Sequence, residues 1–300
     1  MPLPVLLLLV GINLLWAGSS LAAKIALEHL PPMTLAFARF SLSALLMYAV
    51  ALGLKVDLRV ARRDWGAFWA MGVLGLALTY LLAYQGLALT TVTNLALLHA
   101  TETVFLSVLA FFFLKEAMPP AKVAGILLGL AGVYLIIANG FVIAGLSLSV
   151  RGDLLIALAL AFEASSSIVG KGLLARYPAV SVVTYQMLTG AVALAPFAVW
   201  ELARTHPHSL TLPPPSTLFS LLYLVVPCTV VGYLAWFTIL DKHEAGEMSV
   251  FLFIQPVAGA MLGAYFLGDR ITPFTVGGAL LVLGSVALVN RRPAPPAPAA

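Results

Sequence analysis

Three ionisable side chains stand inside long apolar runs of this 300-residue sequence: Arg39, Glu102 and Glu163. A charge near mid-membrane costs at least about 2.5–3.5 kcal/mol, so such a group faces a cavity or a partner. Glu102 and Glu163 each lie ten residues into their runs, roughly 15 Å deep at 1.5 Å per residue. Arg39 lies about 10 Å deep by the same measure. Two chemistries are open to them. Arg39 can neutralise one carboxylate as structural glue, or a carboxylate can line a transport path and hold a cation or a proton. His99 and Glu102 are three residues apart and share a helix face. That is half a metal pair, but the sequence offers no third ligand, and no metal or other cofactor is expected. His206 and His208 stand in a Pro-rich loop with no further ligand nearby.

Aromatic and amide groups supply the rest of a plausible binding surface. Tyr80 and Tyr84 are one helical turn apart, as are Tyr233 and Phe237. Trp16 and Trp236 add ring faces, which suit apolar or aromatic cargo and can hold a cation. Asn94, Gln186 and Gln255 can hydrogen-bond inside a cavity. Ordinary helix packing accounts for any one ring equally well. Gln255-Pro256 predicts a local helix distortion that frees a backbone carbonyl. The single cysteine, Cys228, excludes an intramolecular disulfide.

The elements that position these groups must be membrane helices. Charged residues are 9% of the chain and hydrophobic residues 62%, against about 25% charged in a soluble domain. This excludes a soluble enzyme, a nucleic-acid binder and a disordered chain. A spanning helix needs about 20 apolar residues. Ten stretches meet that need: 3–27, 32–54, 65–89, 92–114, 120–139, 153–174, 181–203, 216–240, 246–267 and 273–290. The first has no basic n-region and is too long for a signal peptide. Prolines at 31–32, 119–120, 178 and 213–215 punctuate the breaks. With the N-terminus inside, eleven Lys and Arg fall on inner segments, four on outer ones and Arg39 within a span, which accounts for all 16. The bias puts both termini in the cytoplasm of a bacterial-type cell, with the protein in the inner membrane.

The chain also matches itself. One displacement carries Lys24 onto Lys171, Pro31 onto Pro178 and Ser19-Ser20 onto Ser166-Ser167. A slightly longer one carries Tyr80 onto Tyr233, Pro120 onto Pro273, Gly125 onto Gly278 and Glu116 onto Asp269. Each half holds five spans, and an odd number turns the second half over in the membrane. The expected fold is all-α and integral to the membrane, with ten transmembrane helices in two inverted five-helix repeats. The repeats are 1–139 and 153–290, joined by a linker at 140–152 and followed by a Pro/Ala tail at 291–300. Gly125/Gly129 and Gly259/Gly263 have the spacing that lets helices approach closely.

TETVFLSVLAFFFLKEAMPPAKVAGILLGLAGVYLI and QPVAGAMLGAYFLGDRITPFTVGGALLVLGSVALV resemble the second part of an EamA-type repeat. WAGSSLAAKIALEHLPPMTLAFARF resembles the opening helix pair. The resemblance covers nearly the whole chain and implies the drug/metabolite transporter superfamily, with the YddG-like amino-acid exporter as the closest type. One departure stands out: the opening-helix aromatic Trp16 has Glu163 as its repeat partner. The resulting expectation is a secondary exporter of small metabolites, most of all amino acids, with protons as a candidate coupling ion. The rival is a proton-coupled exporter of cationic drugs. An intramembrane enzyme would need a nucleophile–base pair or a metal motif such as HExxH. A channel would need a continuous polar stripe. Neither signal is present.

Overall fold

The computed structural model describes residues 2–99, 101–114, 120–138, 148–204, 213–243, 250–268 and 271–289. Among them there is no strand. The helices are α1 (Leu3–Leu27), α2 (Pro32–Gly53), α3 (Trp65–Gly72), α4 (Thr79–Leu89), α5 (Val92–His99), α6 (Glu102–Leu114) and α7 (Pro120–Ala138). They continue with α8 (Leu148–Leu174), α9 (Ala179–Arg204), α10 (Pro215–Tyr223), α11 (Gly232–Lys242), α12 (Ile254–Leu267) and α13 (Pro273–Val289). Among the described residues, seven helical stretches are long and apolar enough to cross a membrane. The expected spans at 120–139, 246–267 and 273–290 correspond to the shorter α7, α12 and α13. The linker at 140–147, His206, His208, Glu116, Asp269 and the tail lie outside the described residues.

Apolar side chains cover the outside as well as the core. Tyr265 is 84% exposed and Phe219 72%, which only a lipid surface tolerates over so much of a molecule. This is a multi-pass membrane protein. Prolines begin α2, α7, α10 and α13, where a missing N–H costs nothing. The core is made by paired helices: α2 packs on α9, α4 on α8, α5 on α12 and α7 on α13. Glycines permit the closest of these approaches. A Cβ on Gly86 of α4 would lie 2.6 Å from the backbone oxygen of Gly152 on α8. A Cβ on Gly129 of α7 would lie 2.8 Å from Ser285 Oγ on α13.

Two π-helical segments interrupt the long helices, Val73–Leu78 between α3 and α4 and Leu224–Val231 between α10 and α11. Such segments widen the helix by one residue per turn and unpair carbonyls. In both, a threonine repairs the ladder with its hydroxyl. Thr79 Oγ1 donates to Leu74 O and Thr229 Oγ1 to Leu224 O, each at 2.7 Å. Pro227, which lacks an N–H, accounts for the second segment; no residue in the first plays that part. The distortion expected at Gln255-Pro256 lies just ahead of it, as a 3₁₀ turn over Val250–Phe253.

Candidate functional site

An enclosed cavity of about 70 Å³ lies at the centre of the bundle. Its lining includes Trp16, Arg39, Tyr80, His99, Glu102, Glu163, Gln186, Tyr233, Trp236, Phe237 and Gln255. These come from nine different helices, so side chains far apart in sequence converge. Tyr84 lines an adjoining cavity with Arg39, Tyr80, His99 and Glu163. Asn94 lies elsewhere: its Nδ2 donates to both oxygens of buried Asp153, at 3.0 and 3.3 Å. Ser19, Gly75, Ser166, Ser167 and Leu252 line the cavity without having been singled out in the sequence. The seryl positions were legible as the Ser19-Ser20 and Ser166-Ser167 repeat match. Gly75 and Leu252 carried no signal.

Arg39 does not pair with a carboxylate among the described residues. Its Nε donates to Thr229 Oγ1 at 2.8 Å and its Nη1 to Tyr84 OH at 2.7 Å. Its guanidinium sits 4.7 Å from the Tyr80 ring centre. Hydroxyls and ring faces solvate the charge locally, so the expectation of an Arg–Glu pair gives way to an Arg held by α4 and the second π-segment. The π-segment makes this possible, because it places Thr229 to donate backward while accepting from Arg39. It also leaves Cys228 O to accept from Trp16 Nε1 at 2.9 Å.

The carboxylates are consequently left to face the cavity. Glu163 accepts one long hydrogen bond, 3.5 Å from Tyr233 OH, which itself lies 3.0 Å from Tyr80 OH. Glu102 and His99 have no hydrogen-bond partner among the described residues. His99 ends the described part of α5 and Glu102 begins α6, and both line the cavity together with Glu163 from α8. His99, Glu102 and Glu163 each present a ligand atom within 4.8 Å of the others. The sequence could not show that Glu163 joins the His99–Glu102 pair. On the opposite wall Trp16 lies edge-on to Tyr233 with ring centres 5.9 Å apart, and tilts on Trp236 at 5.4 Å. Gln255 Nε2 donates to buried Asn13 Oδ1 at 2.9 Å.

Two polar clusters sit at helix termini, each built around a lysine. At one, Lys24 Nζ donates to Leu87 O and Thr90 O at 2.6 and 2.7 Å, capping the C-terminus of α4. Thr90 Oγ1 binds Asp153 beside it at 2.6 Å. At the other, Lys171 Nζ donates to Leu240 O and His243 O at 3.1 and 3.4 Å, capping the C-terminus of α11. Arg176 and Tyr177 hold Asp64 there, the tyrosine at 2.6 Å. An ammonium suits a helix C-terminus, where the peptide dipoles leave unpaired carbonyls.

The model of the EamA-like transporter family matches residues 3–138 and again 150–291. An uncharacterized transporter of Archaeoglobus fulgidus is 29% identical over 95% of this chain and 97% of its own length. A probable amino-acid metabolite efflux pump of Escherichia coli is 28% identical over 89% of this chain and 88% of its own. A probable terminal-alkyne amino-acid exporter of Streptantibioticus cattleyicolor is 24% identical over 92% and 90%. One crystal structure superimposes with a TM-score of 0.68 at 20% identity, over 96% of both chains; it shares the fold.

Proposed function

Because this chain belongs to the EamA-like transporter family, within the drug/metabolite transporter superfamily, we propose that it exports small metabolites, chiefly amino acids, by alternating access. The observation that carries the proposal is the cavity itself: two inward-facing carboxylates opposite a wall of aromatic rings. A zwitterion matches it. The ammonium meets Glu102 or Glu163. The carboxylate meets an amide of Gln186 or Gln255, or the N–H groups that Arg39 does not spend on Thr229 and Tyr84. An apolar side chain lies on Trp16, Tyr233 and Trp236.

The reading extends to the whole architecture: ten spans in two inverted five-helix repeats, 1–139 and 153–290, in the inner membrane with both termini cytoplasmic. Support comes from paired details. The sequence displacements that join Lys24 to Lys171 and Tyr80 to Tyr233 also join Trp16 to Glu163, Arg39 to Gln186 and Glu102 to Gln255, all cavity groups. They join the two π-segments and the two lysine caps as well. Two equivalent halves can exchange conformations and so open the cavity to either side in turn.

The test is transport. Purified protein in liposomes is assayed with a panel of labelled amino acids, with and without a pH gradient. At least one amino acid should move, and overexpression should raise tolerance of its excess. Movement of ethidium with no amino acid transported would favour the cationic-drug reading, which the paired carboxylates and ring faces also accommodate.

A further inference from the structure

We infer that His99, Glu102 and Glu163 form a binding site for a divalent first-row transition-metal ion. Three ligand atoms, one imidazole nitrogen and two carboxylate oxygens, lie within 4.8 Å of one another. In a tetrahedral zinc site they would be about 3.4 Å apart, given bonds of about 2.0–2.2 Å. Rotation of two long glutamate side chains covers that difference, and water supplies the fourth position.

Charge points the same way. Two carboxylates this close in a membrane interior need positive charge between them. Arg39, one cation in the same cavity lining, can balance only one of the two, and its hydrogen bonds go to Thr229 and Tyr84. A bound ammonium or a shared proton would answer the charge but would leave the imidazole without a role. A borderline metal uses all three donors, and mixed nitrogen and oxygen ligation suits zinc, cobalt and manganese rather than calcium or magnesium. A second observation lies on the same cavity wall. Gln186 is 2% exposed and its Oε1 has no donor among the described residues. A water on the metal is a donor of the kind that holds such sites in register.

The inference shares its carboxylates with the cargo site proposed above, so occupancy by metal should compete with cargo. Metal binding itself is measured without transport, and the two readings therefore fail separately. Tag-free protein is dialysed against Co²⁺ and against Zn²⁺. We expect one ion per chain, a Co²⁺ visible spectrum of nitrogen and oxygen ligation without thiolate bands, and a rise in melting temperature with Zn²⁺. His99→Gln and Glu163→Gln should each weaken binding by about 100-fold or more. His206→Ala with His208→Ala should leave it unchanged. Circular dichroism identifies any variant that fails to fold, and the wild-type spectrum then decides on its own. Absence of stoichiometric binding to the wild type overturns the inference. So does a thiolate spectrum, or binding indifferent to both ligand substitutions.

Discussion

Arg39 and Glu163 separate structural from functional charge. Arg39 holds Thr229 and Tyr84 across the bundle, and its removal takes from the buried Tyr84 hydroxyl its partner among the described residues, while Thr229 keeps its bond to Leu224 O. Such a loss costs about 1–3 kcal/mol. Arg39→Met should therefore lower the melting temperature in detergent. Arg39→Lys should not restore it, because one ammonium cannot reproduce two divergent N–H bonds and a ring contact. Glu163 makes only one long hydrogen bond and holds no helix in place. Glu163→Gln keeps the shape and loses the charge, so it should fold as the wild type and transport poorly. Wild-type flux from that variant would remove Glu163 from the site. The sequence exposed these residues because a charge in an apolar run is conspicuous. It could not assign partners: the hydroxyls of Tyr84 and Thr229 solvate Arg39 as well as a carboxylate would, and neither advertises that role.

At the scale of helices, close approach and end-capping set the packing. Gly86→Ala would push a methyl group into the α8 backbone at Gly152, where no side chain can yield. Overpacking of this kind costs about 1–3 kcal/mol, and a lowered melting temperature would report it. The lysine caps act on different helices. Lys24→Met should speed amide hydrogen exchange in the segment after Leu87 and leave that after Leu240 unchanged; Lys171→Met should do the reverse. Equal effects at both sites from either variant would contradict independent capping. The spans were legible because apolar runs of this length have few alternatives. The breaks were harder to read. Only Pro227 and Gln255-Pro256 carry a backbone signal, whereas the first π-segment falls among ordinary apolar residues that give none.

For the whole molecule, the account makes two halves equivalent and the cavity their shared interior. The repeat could be read because Lys, Pro, Tyr and Gly matches are improbable in apolar sequence. The cavity's mixed lining could not, because repeat partners such as Glu102 with Gln255 and Arg39 with Gln186 differ in charge while lining one cavity together. Fusions of a topology reporter within Lys55–Arg63 and after Val289 should both read cytoplasmic. The central claim, alternating access to this cavity, is tested most directly by thiol labelling. Cys228 is the only native cysteine and is buried, so a Cys228→Ser background carrying Ser167→Cys places one thiol in the cavity lining. A membrane-impermeant reagent should reach it from either side of the liposome membrane, with a transported amino acid changing both labelling rates. Labelling from one side alone, whatever the cargo, would contradict the account.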